Sequence, residues 1–353
     1  MVKTNMAGET PSDGNDRTTL SDIARAAGVS VTTVSKVVNG KSDVAPSTRE
    51  RVEQTMERLG YFKTHANTRV TSQLMEIAFQ HLDNSWTIDL LQGAAMQTQP
   101  DGIRLVLSML GDSDEPVTSW VEEVVARRPL GVIVVFSKPS VSLAKRLASR
   151  QIPCVFIDPW GAPMSGIMSV QADNWSGGLL ATRHLIELGH RRIATITGPE
   201  NTMCTIARLD GYRAALREAD IEIDPQLVRR GRFRVTDGER LATELLTARH
   251  RPTAIFAQSD FIAMGVYRAA KQLGLTIPED LSVVGFDDIQ TAAYMGPALT
   301  TVHQPLSEMA AEAARMILAA HRGESVGDRV ILPTSLIERE STCSPVQSQR
   351  SES

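Results

Sequence analysis

The stretch TLSDIARAAGVSVTTVSKVVNG, residues 19–40, predicts two short helices joined by a tight turn. Thr19 followed by Asp22 is typical of a capping box that begins a helix, and Gly28 permits the turn that ends it. The first helix has one apolar face, because its hydrophobic residues recur at intervals of three and four: Leu20, Ile23, Ala24 and Ala27. This arrangement indicates a helix-turn-helix.

Two further helices complete a small bundle. Ser30 is suited to cap the second helix, and Pro46 suits the first turn of a third helix in APSTRERVEQTMERLGY, residues 45–61, which Gly60 ends. The apolar faces of these two helices consist of Val34, Val37, Val38, Val52, Met56 and Leu59. We therefore predict a helix-turn-helix domain over residues 18–61.

The second helix presents Val31, Thr32, Ser35 and Lys36 away from this core. A helix fits the major groove of DNA, where small and basic side chains reach base edges. We expect Val31 to contact a thymine methyl, Thr32 a base edge and Lys36 guanine acceptors. The residues expected to contact phosphates are Ser30, Ser35, Asn39 and Lys41. On spacing alone, an ordinary three-helix bundle with a polar face is the alternative.

Composition separates this head from the rest of the chain. Nine Lys or Arg residues and five Asp or Glu residues lie from Arg17 to Arg69, a local charge of +4, whereas the 353 residues together carry −4. Residues 1–17 are polar, which predicts a disordered tail without a secretory signal. We find no apolar run long enough to span a membrane. The three cysteines, Cys154, Cys204 and Cys343, predict neither a disulfide framework nor a zinc site.

From residue 74 onward, apolar runs alternate with helical segments. Seven runs each predict a buried strand: LMEIAF, IRLVLSML, GVIVVF, IPCVFID, RIATITG, TAIFAQSD and LSVVGFDD. Such alternation predicts an α/β fold with parallel sheets covered by helices on both faces. More than 260 residues of this pattern exceed what one such unit usually requires.

The head resembles that of bacterial regulators of the lactose-repressor/galactose-repressor (LacI/GalR) family. The resemblance covers about 320 residues and continues in later motifs: HLIELGHRRI, ARLDGYRAAL, GFDD, LTTVHQPL and LPTSLIERES. It implies a periplasmic-binding-protein-like core over 73–341. One subdomain would span about 74–170 plus 305–330 and the other about 171–304 plus 331–341. Residues 342–353 form a polar tail without the leucine heptad of tetrameric relatives.

The linker over residues 62–72 departs from the family pattern. In the family this segment forms a hinge helix on operator DNA, but Lys63 and Thr64 replace its usual Pro-Asn pair. Val70 stands where the family has a leucine that enters the minor groove; apolar wedges of this kind kink DNA. Valine has a shorter reach, and a plain polar tether is the alternative.

Ligands of such folds bind beyond the carboxyl ends of parallel strands. Several polar residues stand at predicted strand ends: Asp158, Ser259, Asp260 and Asp287. The resemblance implies effector contacts from Asp158, Arg208, Phe233, Ser259 and Asp287, and Trp86 after the first strand offers another aromatic face.

The chemistry of this set suits a sugar, since carboxylates accept hydroxyl groups and a guanidinium donates a fixed fork of hydrogen bonds. Ser259 and Ser169 are smaller than their family counterparts, which would enlarge the pocket for a disaccharide or longer glycan.

Structural alternatives remain for each of these residues. Asp260 or Asp287 would cap a helix, Arg208 would form a structural ion pair, Phe233 would pack in the core, and Trp86 would lie on the surface or at a dimer contact. We find no nucleophile elbow, HExxH, P-loop or GxGxxG motif, so an enzyme is not expected.

We therefore predict a cytoplasmic bacterial homodimer that binds pseudo-palindromic double-stranded operator DNA, in the nucleoid when bound, and needs no cofactor, metal or membrane. It would repress carbohydrate-utilisation genes until a sugar releases it. The alternatives are a regulator corepressed by a purine or another metabolite, and a solute-binding protein without a DNA function.

Overall fold

The structure, a computed structural model, describes residues 19–38, 44–59, 73–80, 82, 86–111, 118–136, 138, 141–160 and 165–345. Predictions made for the N-terminal tail, Asn39, Lys41, Gly60 and the linker with Val70 lie outside these residues. The chain divides into two compact units between Val70 and Thr71. Each unit is described by itself.

The first unit contains three helices: α1 (Leu20–Ala27), α2 (Val31–Val38) and α3 (Pro46–Arg58). The predicted capping box is confirmed, because the Asp22 amide donates to Thr19 Oγ1 at 3.3 Å and the Thr19 amide donates to Asp22 Oδ2 at 2.9 Å. Gly28 ends α1 with a φ of 64°, a left-handed conformation that favours glycine. The Thr33 amide donates to Ser30 Oγ at 3.1 Å, which confirms the predicted cap of α2.

The core of this unit is formed by the predicted faces. Its fully buried members are Ile23, Ala24, Ala27, Val34, Val37 and Val52, and those partly buried against them include Leu20, Val38, Met56 and Leu59. The hydrophobic spacing of the sequence was therefore sufficient to identify the inward face of every helix in the unit.

The second unit alternates strands and helices. In chain order its elements are β1 (Leu74–Phe79), α4 (Trp86–Thr98), β2 (Arg104–Met109), α5 (Thr118–Arg127), β3 (Gly131–Val135), α6 (Val141–Ala148), β4 (Cys154–Ile157), β5 (Met168–Ala172), α7 (Asn174–Glu187), β6 (Ile193–Thr197), α8 (Met203–Glu218), β7 (Val228–Arg230), α9 (Val235–Leu246), β8 (Ala254–Ala257), α10 (Asp260–Gln272), β9 (Ser282–Asp287), β10 (Thr300–His303), α11 (Leu306–His321), β11 (Arg329–Leu332) and β12 (Ser335–Ile337). Short 3₁₀ helices occupy Gln99–Asp101, Pro225–Leu227 and Gln290–Tyr294.

These strands form two six-stranded sheets. The first has the order β11-β5-β4-β3-β1-β2 and is parallel throughout. The second has the order β12-β10-β9-β8-β6-β7 and is parallel except for β12, which runs antiparallel to β10. Apolar clusters cover both faces of each sheet, as the predicted α/β class requires. We call the first sheet with α4, α5, α6 and α11 the first lobe, and the second sheet with α7 to α10 the second lobe.

The chain crosses between the lobes after β5, after β10 and after β11. Because Ser169 pairs with Arg329 and Ala172 with Leu332, residues 171–172 and 331–332 belong to the first sheet. The approximate subdomain bounds at 170 and 330 fall inside these two strands, two residues before their ends.

The described part of the C-terminal segment contacts the second lobe. Residues 342–353 were expected to form a polar tail, and within this segment the Cys343 carbonyl accepts from His190 Nε2 at 2.9 Å and Thr342 Oγ1 lies 2.9 Å from His184 Nε2. His190 is buried, and its other ring nitrogen lies 2.9 Å from Thr253 Oγ1. The two histidines therefore hold the chain end against the second lobe. Among the described helices, none has the length and apolarity needed to cross a bilayer.

Candidate effector site and DNA-contact surface

A cleft of about 690 Å³, part of it open to solvent, lies at the carboxyl ends of the strands of both lobes. In each sheet the strand order reverses at one point, between β1 and β3 in the first and between β6 and β8 in the second. Such a reversal leaves a crevice in which ligands of doubly wound folds bind. The cleft is lined by Gln80, Trp86, Phe136, Trp160, Arg208, Phe233, Ser259, Phe261, Asp287, Gln304 and Leu306.

Five of the six effector contacts predicted from the sequence line this cleft: Trp86, Arg208, Phe233, Ser259 and Asp287. The sixth, Asp158, is buried behind the wall and reaches the cleft only through Gln304, whose Nε2 donates to Asp158 Oδ2 at 3.0 Å. Ser169 lies buried in β5 and is absent from the lining, so the expectation that it enlarges the pocket is wrong.

Arg208 is the centre of a closed ring of hydrogen bonds. Its Nε donates to Asn174 Oδ1 at 2.8 Å and its Nη2 donates to Gln304 Oε1 at 2.9 Å. Both amides then donate to Asp158, Asn174 at 3.5 Å and Gln304 at 3.0 Å. Asn174 follows the first crossing and Gln304 the second, so the ring ties the second lobe to the end of β4 through two crossing segments.

The remaining contacts of Arg208 fix the plane of its guanidinium. Nη1 donates to the Gln258 carbonyl at 2.6 Å and lies 3.5 Å from Asp287 Oδ1. The guanidinium carbon stands 3.6 Å from the centroid of the Phe286 ring and 5.8 Å from that of Phe233. A charge in this geometry is stabilised by both the carboxylate and the ring faces. The predicted ion pair therefore exists, and it lies in the wall of the cleft.

Close helix packing puts Arg208 in this position. It lies in the second turn of α8, which begins at Met203. A Cβ atom at Gly178 of α7 would stand 2.2 Å from the Arg208 carbonyl oxygen, so only glycine permits this approach of α7 and α8.

Four residues at or directly after strand ends adopt a left-handed backbone, and three of them belong to the cleft or to the ring behind it. The φ angles of these three are 48° at Phe136 after β3, 42° at Asp158 after β4 and 114° at Asp287 at the end of β9. Residues other than glycine rarely adopt such angles, and where they do the surroundings must fix them, commonly at ligand sites.

Burial changes the ionisation of the cleft carboxyls. It raises the pKa of Asp287 to about 7, although nearby Arg208 opposes the shift. Burial also raises the pKa of Asp158 to about 6, against the influence of Arg208 and the two amide donors. Carboxyls of this kind change charge near neutral pH, which is typical of functional sites.

Neither Asp260 nor Asp287 caps a helix. Ser259 caps α10 by accepting from the Ile262 amide at 3.3 Å, while the Asp260 carboxyl accepts from the Ile289 amide and from Thr301 Oγ1. Asp288 points away from Asp287, toward His303 at 3.1 Å and Arg339 at 2.6 Å. Adjacent Asp287 and Asp288 therefore make no carboxylate pair.

Trp86 is the first residue of α4, and it packs against the apolar cores of both lobes. The sequence missed Gln80, Phe136, Trp160, Phe261, Gln304 and Leu306. Gln80 and Phe136 directly follow β1 and β3, so the strand-order reversal would have identified them. Gln304 stands in the quoted LTTVHQPL motif.

The candidate DNA-contact surface is the outer face of α2. Val31, Thr32 and Lys36 are exposed, Ser35 is partly exposed, and Val34 and Val37 point into the core. Ser30 stands immediately before α2 at the N-terminal end, where recognition helices present side chains to base edges.

A helix-turn-helix unit and a two-lobed body with a polar and aromatic cleft define a ligand-responsive DNA-binding regulator. Residues 19–63 match the family of bacterial regulatory proteins called lacI, and residues 182–342 match a periplasmic binding protein-like domain. The regulator DegA of Bacillus subtilis is 33% identical over 92% of this chain and 98% of its own length. The regulator CelR of Thermobifida fusca is 34% identical over 92% and 98%, and the repressor PurR of Vibrio atlanticus 31% over 91% and 97%.

Solved structures agree with this assignment. The complex of a regulator CelR with cellobiose superposes with a TM-score of 0.71 at 33% identity, covering 92% of this chain and all of that one. The lac repressor dimer bound to operator and an anti-inducer superposes with a TM-score of 0.74 at 29% identity, covering 93% and 100%. The chain belongs to the lacI family of bacterial regulatory proteins, and it is a DNA-binding transcriptional regulator rather than an enzyme.

Proposed function

We propose that the chain is a homodimeric repressor of carbohydrate-utilisation genes, which leaves a pseudo-palindromic operator when a sugar binds in the cleft. The observation that carries this proposal is the composition of the cleft. Five aromatic rings line it together with the fixed guanidinium of Arg208, the carboxyl of Asp287 and polar side chains from both lobes.

This combination favours a sugar. Apolar CH faces of a sugar ring stack on aromatic side chains, while its hydroxyls both donate and accept hydrogen bonds. Arg208 supplies donors, Asp287 supplies acceptors, and Gln80 and Gln304 supply both. The solved complex of a regulator CelR, 33% identical to this chain, contains the disaccharide cellobiose. We therefore favour a disaccharide as the effector.

The sign of regulation follows from differential affinity. A sugar that contacts both lobes at once would stabilise one angle between them. The sugar changes the affinity for operator DNA only if it binds the protein more tightly at that angle than at the angle that binds the operator. A purine acting as a corepressor is the second candidate, since two relatives named transcriptional repressor PurR are 31% and 32% identical to this chain.

A thermal-shift series distinguishes these candidates. The purified protein is heated with ribose, glucose, cellobiose, lactose, maltose, hypoxanthine and guanine, each in a separate sample. A ligand at about 100 times its Kd stabilises the native protein by about 2.7 kcal/mol, which is readily measured. We expect the largest shift from a disaccharide. A shift from a purine alone would contradict the sugar assignment.

Lys36→Ala is expected to weaken operator binding by about 1–3 kcal/mol and to relax specificity at one base pair, because the variant removes a proposed contact to guanine acceptors. Fluorescence anisotropy with a selected palindrome and single-base variants measures both effects. Lys145→Ala, at an exposed lysine of α6, is the matched control and should bind like the wild type. If Lys36→Ala binds the palindrome and its single-base variants with the same affinities as Lys145→Ala and the wild type, Lys36 does not contact the operator as proposed.

The proposed dimer uses an exposed apolar surface of the first lobe. The edge strand β2 exposes Leu107 and Met109, and α4 exposes Ile88 and Met96; Met109 is 67% exposed. An edge strand with such side chains is prone to association, and apolar patches on soluble proteins commonly mark interfaces.

Met109→Asp is therefore expected to shift the dimer toward monomer and to raise the Kd of self-association at least tenfold, because an unpaired carboxylate would be buried at the contact. Sedimentation equilibrium measures the change. Ile206→Asp, at an exposed position of α8 in the second lobe, is the control and should remain dimeric. A monomeric wild type, or a dimeric Met109→Asp, would contradict the proposed interface.

A further inference from the structure

Trp160 contributes a buried hydrogen-bond donor to the cleft that no part of the described protein uses. It follows β4, and its side chain lines the cleft beside Arg208 and Asp287. Its Nε1 is shielded from solvent and has no acceptor among the described residues. An indole N–H removed from water without an acceptor is rare in native proteins, and a bound molecule is one of its explanations.

The same chain offers a direct comparison. Trp120 of α5 is also buried, and its Nε1 donates to Glu76 Oε1 at 2.7 Å. One buried indole N–H is therefore satisfied by a carboxylate, whereas the other lines the cleft and has no acceptor among the described residues. The contrast is between two residues of one type in one protein, so it does not depend on a general preference of tryptophan.

A second polar group near Arg208 also lacks a partner. The side chain of Gln258 is completely buried, and neither its Oε1 nor its Nε2 has a hydrogen-bond partner among the described residues. The carbonyl of this residue accepts from Arg208, and the next residue, Ser259, lines the cleft. Two side chains near Arg208, those of Trp160 and Gln258, therefore have buried polar atoms without a hydrogen-bond partner among the described residues.

Trp160 also joins the two lobes. Its backbone pairs with that of Thr202 as an isolated antiparallel bridge, and Thr202 stands just before α8 in the second lobe. Trp160 itself belongs to the connection between β4 and β5 of the first lobe. A molecule held by this indole therefore touches the first lobe at a point where that lobe is already paired with the second.

We propose that Trp160 is a specificity-determining residue of the effector site, whose indole N–H donates to a hydroxyl or ether oxygen of the sugar. This inference rests on the proposed sugar effector. A site built around a hydrogen bond rejects analogues that lack the matching atom, because the buried donor is then left unpaired. Trp160 accordingly selects for an oxygen at one position of the sugar.

The first experiment needs no ligand and compares Trp160→Phe with Trp120→Phe. Phenylalanine keeps an aromatic ring and removes the N–H in both variants. In Trp120→Phe the Glu76 carboxylate loses a donor, so we expect its Tm to fall by about 2–4 °C. In Trp160→Phe an unpaired donor disappears, so its Tm is expected to fall less than that of Trp120→Phe, since both variants lose the same ring volume. A fall in Trp160→Phe equal to that in Trp120→Phe would show that the indole has a partner within the protein, and would overturn the inference.

The second experiment measures binding of the sugar that gives the largest thermal shift in the series above, by isothermal titration. We expect about tenfold weaker binding by Trp160→Phe and unchanged binding by Trp120→Phe. Deoxy analogues of that sugar then complete a double-mutant cycle. Trp160→Phe and the wild type should bind one analogue with equal affinity, because that analogue already lacks the oxygen that the Trp160 indole N–H would contact.

The outcomes separate the two proposals. If no sugar binds the wild type, the proposed function fails and the role of Trp160 fails with it. If a sugar binds the wild type and Trp160→Phe equally well, the effector site stands and the inference about Trp160 is wrong. If Trp160→Phe weakens the binding of every deoxy analogue by the same factor, the indole ring and not its N–H contributes to binding, which also overturns the inference.

Discussion

Replacing Arg208 with alanine is expected to abolish the response to the effector and to destabilise the second unit by about 3–5 kcal/mol. Only 2% of the Arg208 side chain is exposed, and it donates to Asn174, Gln258 and Gln304. Its loss leaves three buried acceptors without their donor and removes the cation beside Asp287. Effector affinity should fall at least a hundredfold, since the wall of the cleft loses its fixed donor and its geometry.

Two further variants separate binding from folding. Arg208→Lys keeps the charge but loses the planar fork, so we expect a smaller loss of stability and still at least tenfold weaker binding. Arg213→Ala removes a partly exposed arginine from the same helix and should change neither property measurably. Urea unfolding and isothermal titration provide the two measurements. An Arg208→Ala protein that binds the sugar normally would show that the ring of hydrogen bonds is unrelated to the effector.

The second large effect is expected from Glu76→Ala, in the middle of β1. Glu76 is 1% exposed and accepts from Ser108 at 2.6 Å, from Trp120 at 2.7 Å and from Arg127 at 2.9 Å. Alanine would leave buried donors unpaired around a partly buried guanidinium. We expect a loss of about 3–5 kcal/mol in the free energy of unfolding, because removing one partner of a buried ion pair is strongly destabilising.

Glu123 supplies the matched control for this measurement. It forms an ion pair with the same arginine at 3.1 Å, but its side chain is 64% exposed. Glu123→Ala should therefore cost less than about 1 kcal/mol, since exposed ion pairs contribute little. Glu76→Gln, which keeps one acceptor oxygen, should fall between the two. If Glu76→Ala unfolds at the same urea concentration as Glu123→Ala, the network around Glu76 does not stabilise the first lobe.

The sequence predicted those features that depend on near neighbours along the chain. Thr19 and Asp22 are three residues apart, and the apolar faces of α1 to α3 repeat within one turn, so the cap and inward faces of these described helices were predictable. Asp287 and Ser259 were predictable as the polar residues that end two apolar runs. In each case the residues that form the pattern are close neighbours along the chain.

Features that depend on the sheet order were not predictable in this way. The strands β5 and β10 contain Ser169, Gln171, Thr300 and Thr301, whose polar side chains obscure the apolar pattern. Gln80 and Phe136 become neighbours only because β1 and β3 pair. The network of Glu76 joins residues 32 to 51 positions apart, and the partners of Arg208 lie up to 96 positions away. No local pattern records such contacts.

Release of operator DNA by a sugar tests the proposed function most directly. A fluorescent palindromic operator is titrated with the full chain, alone and with the sugar that stabilises it, at fixed salt because phosphate contacts make the affinity depend on ionic strength. We expect the sugar to weaken operator binding by about 5–150-fold, a coupling of about 1–3 kcal/mol, and we expect Arg208→Ala to bind DNA without responding to the sugar. Unchanged or tighter operator binding with the sugar would contradict the proposed function.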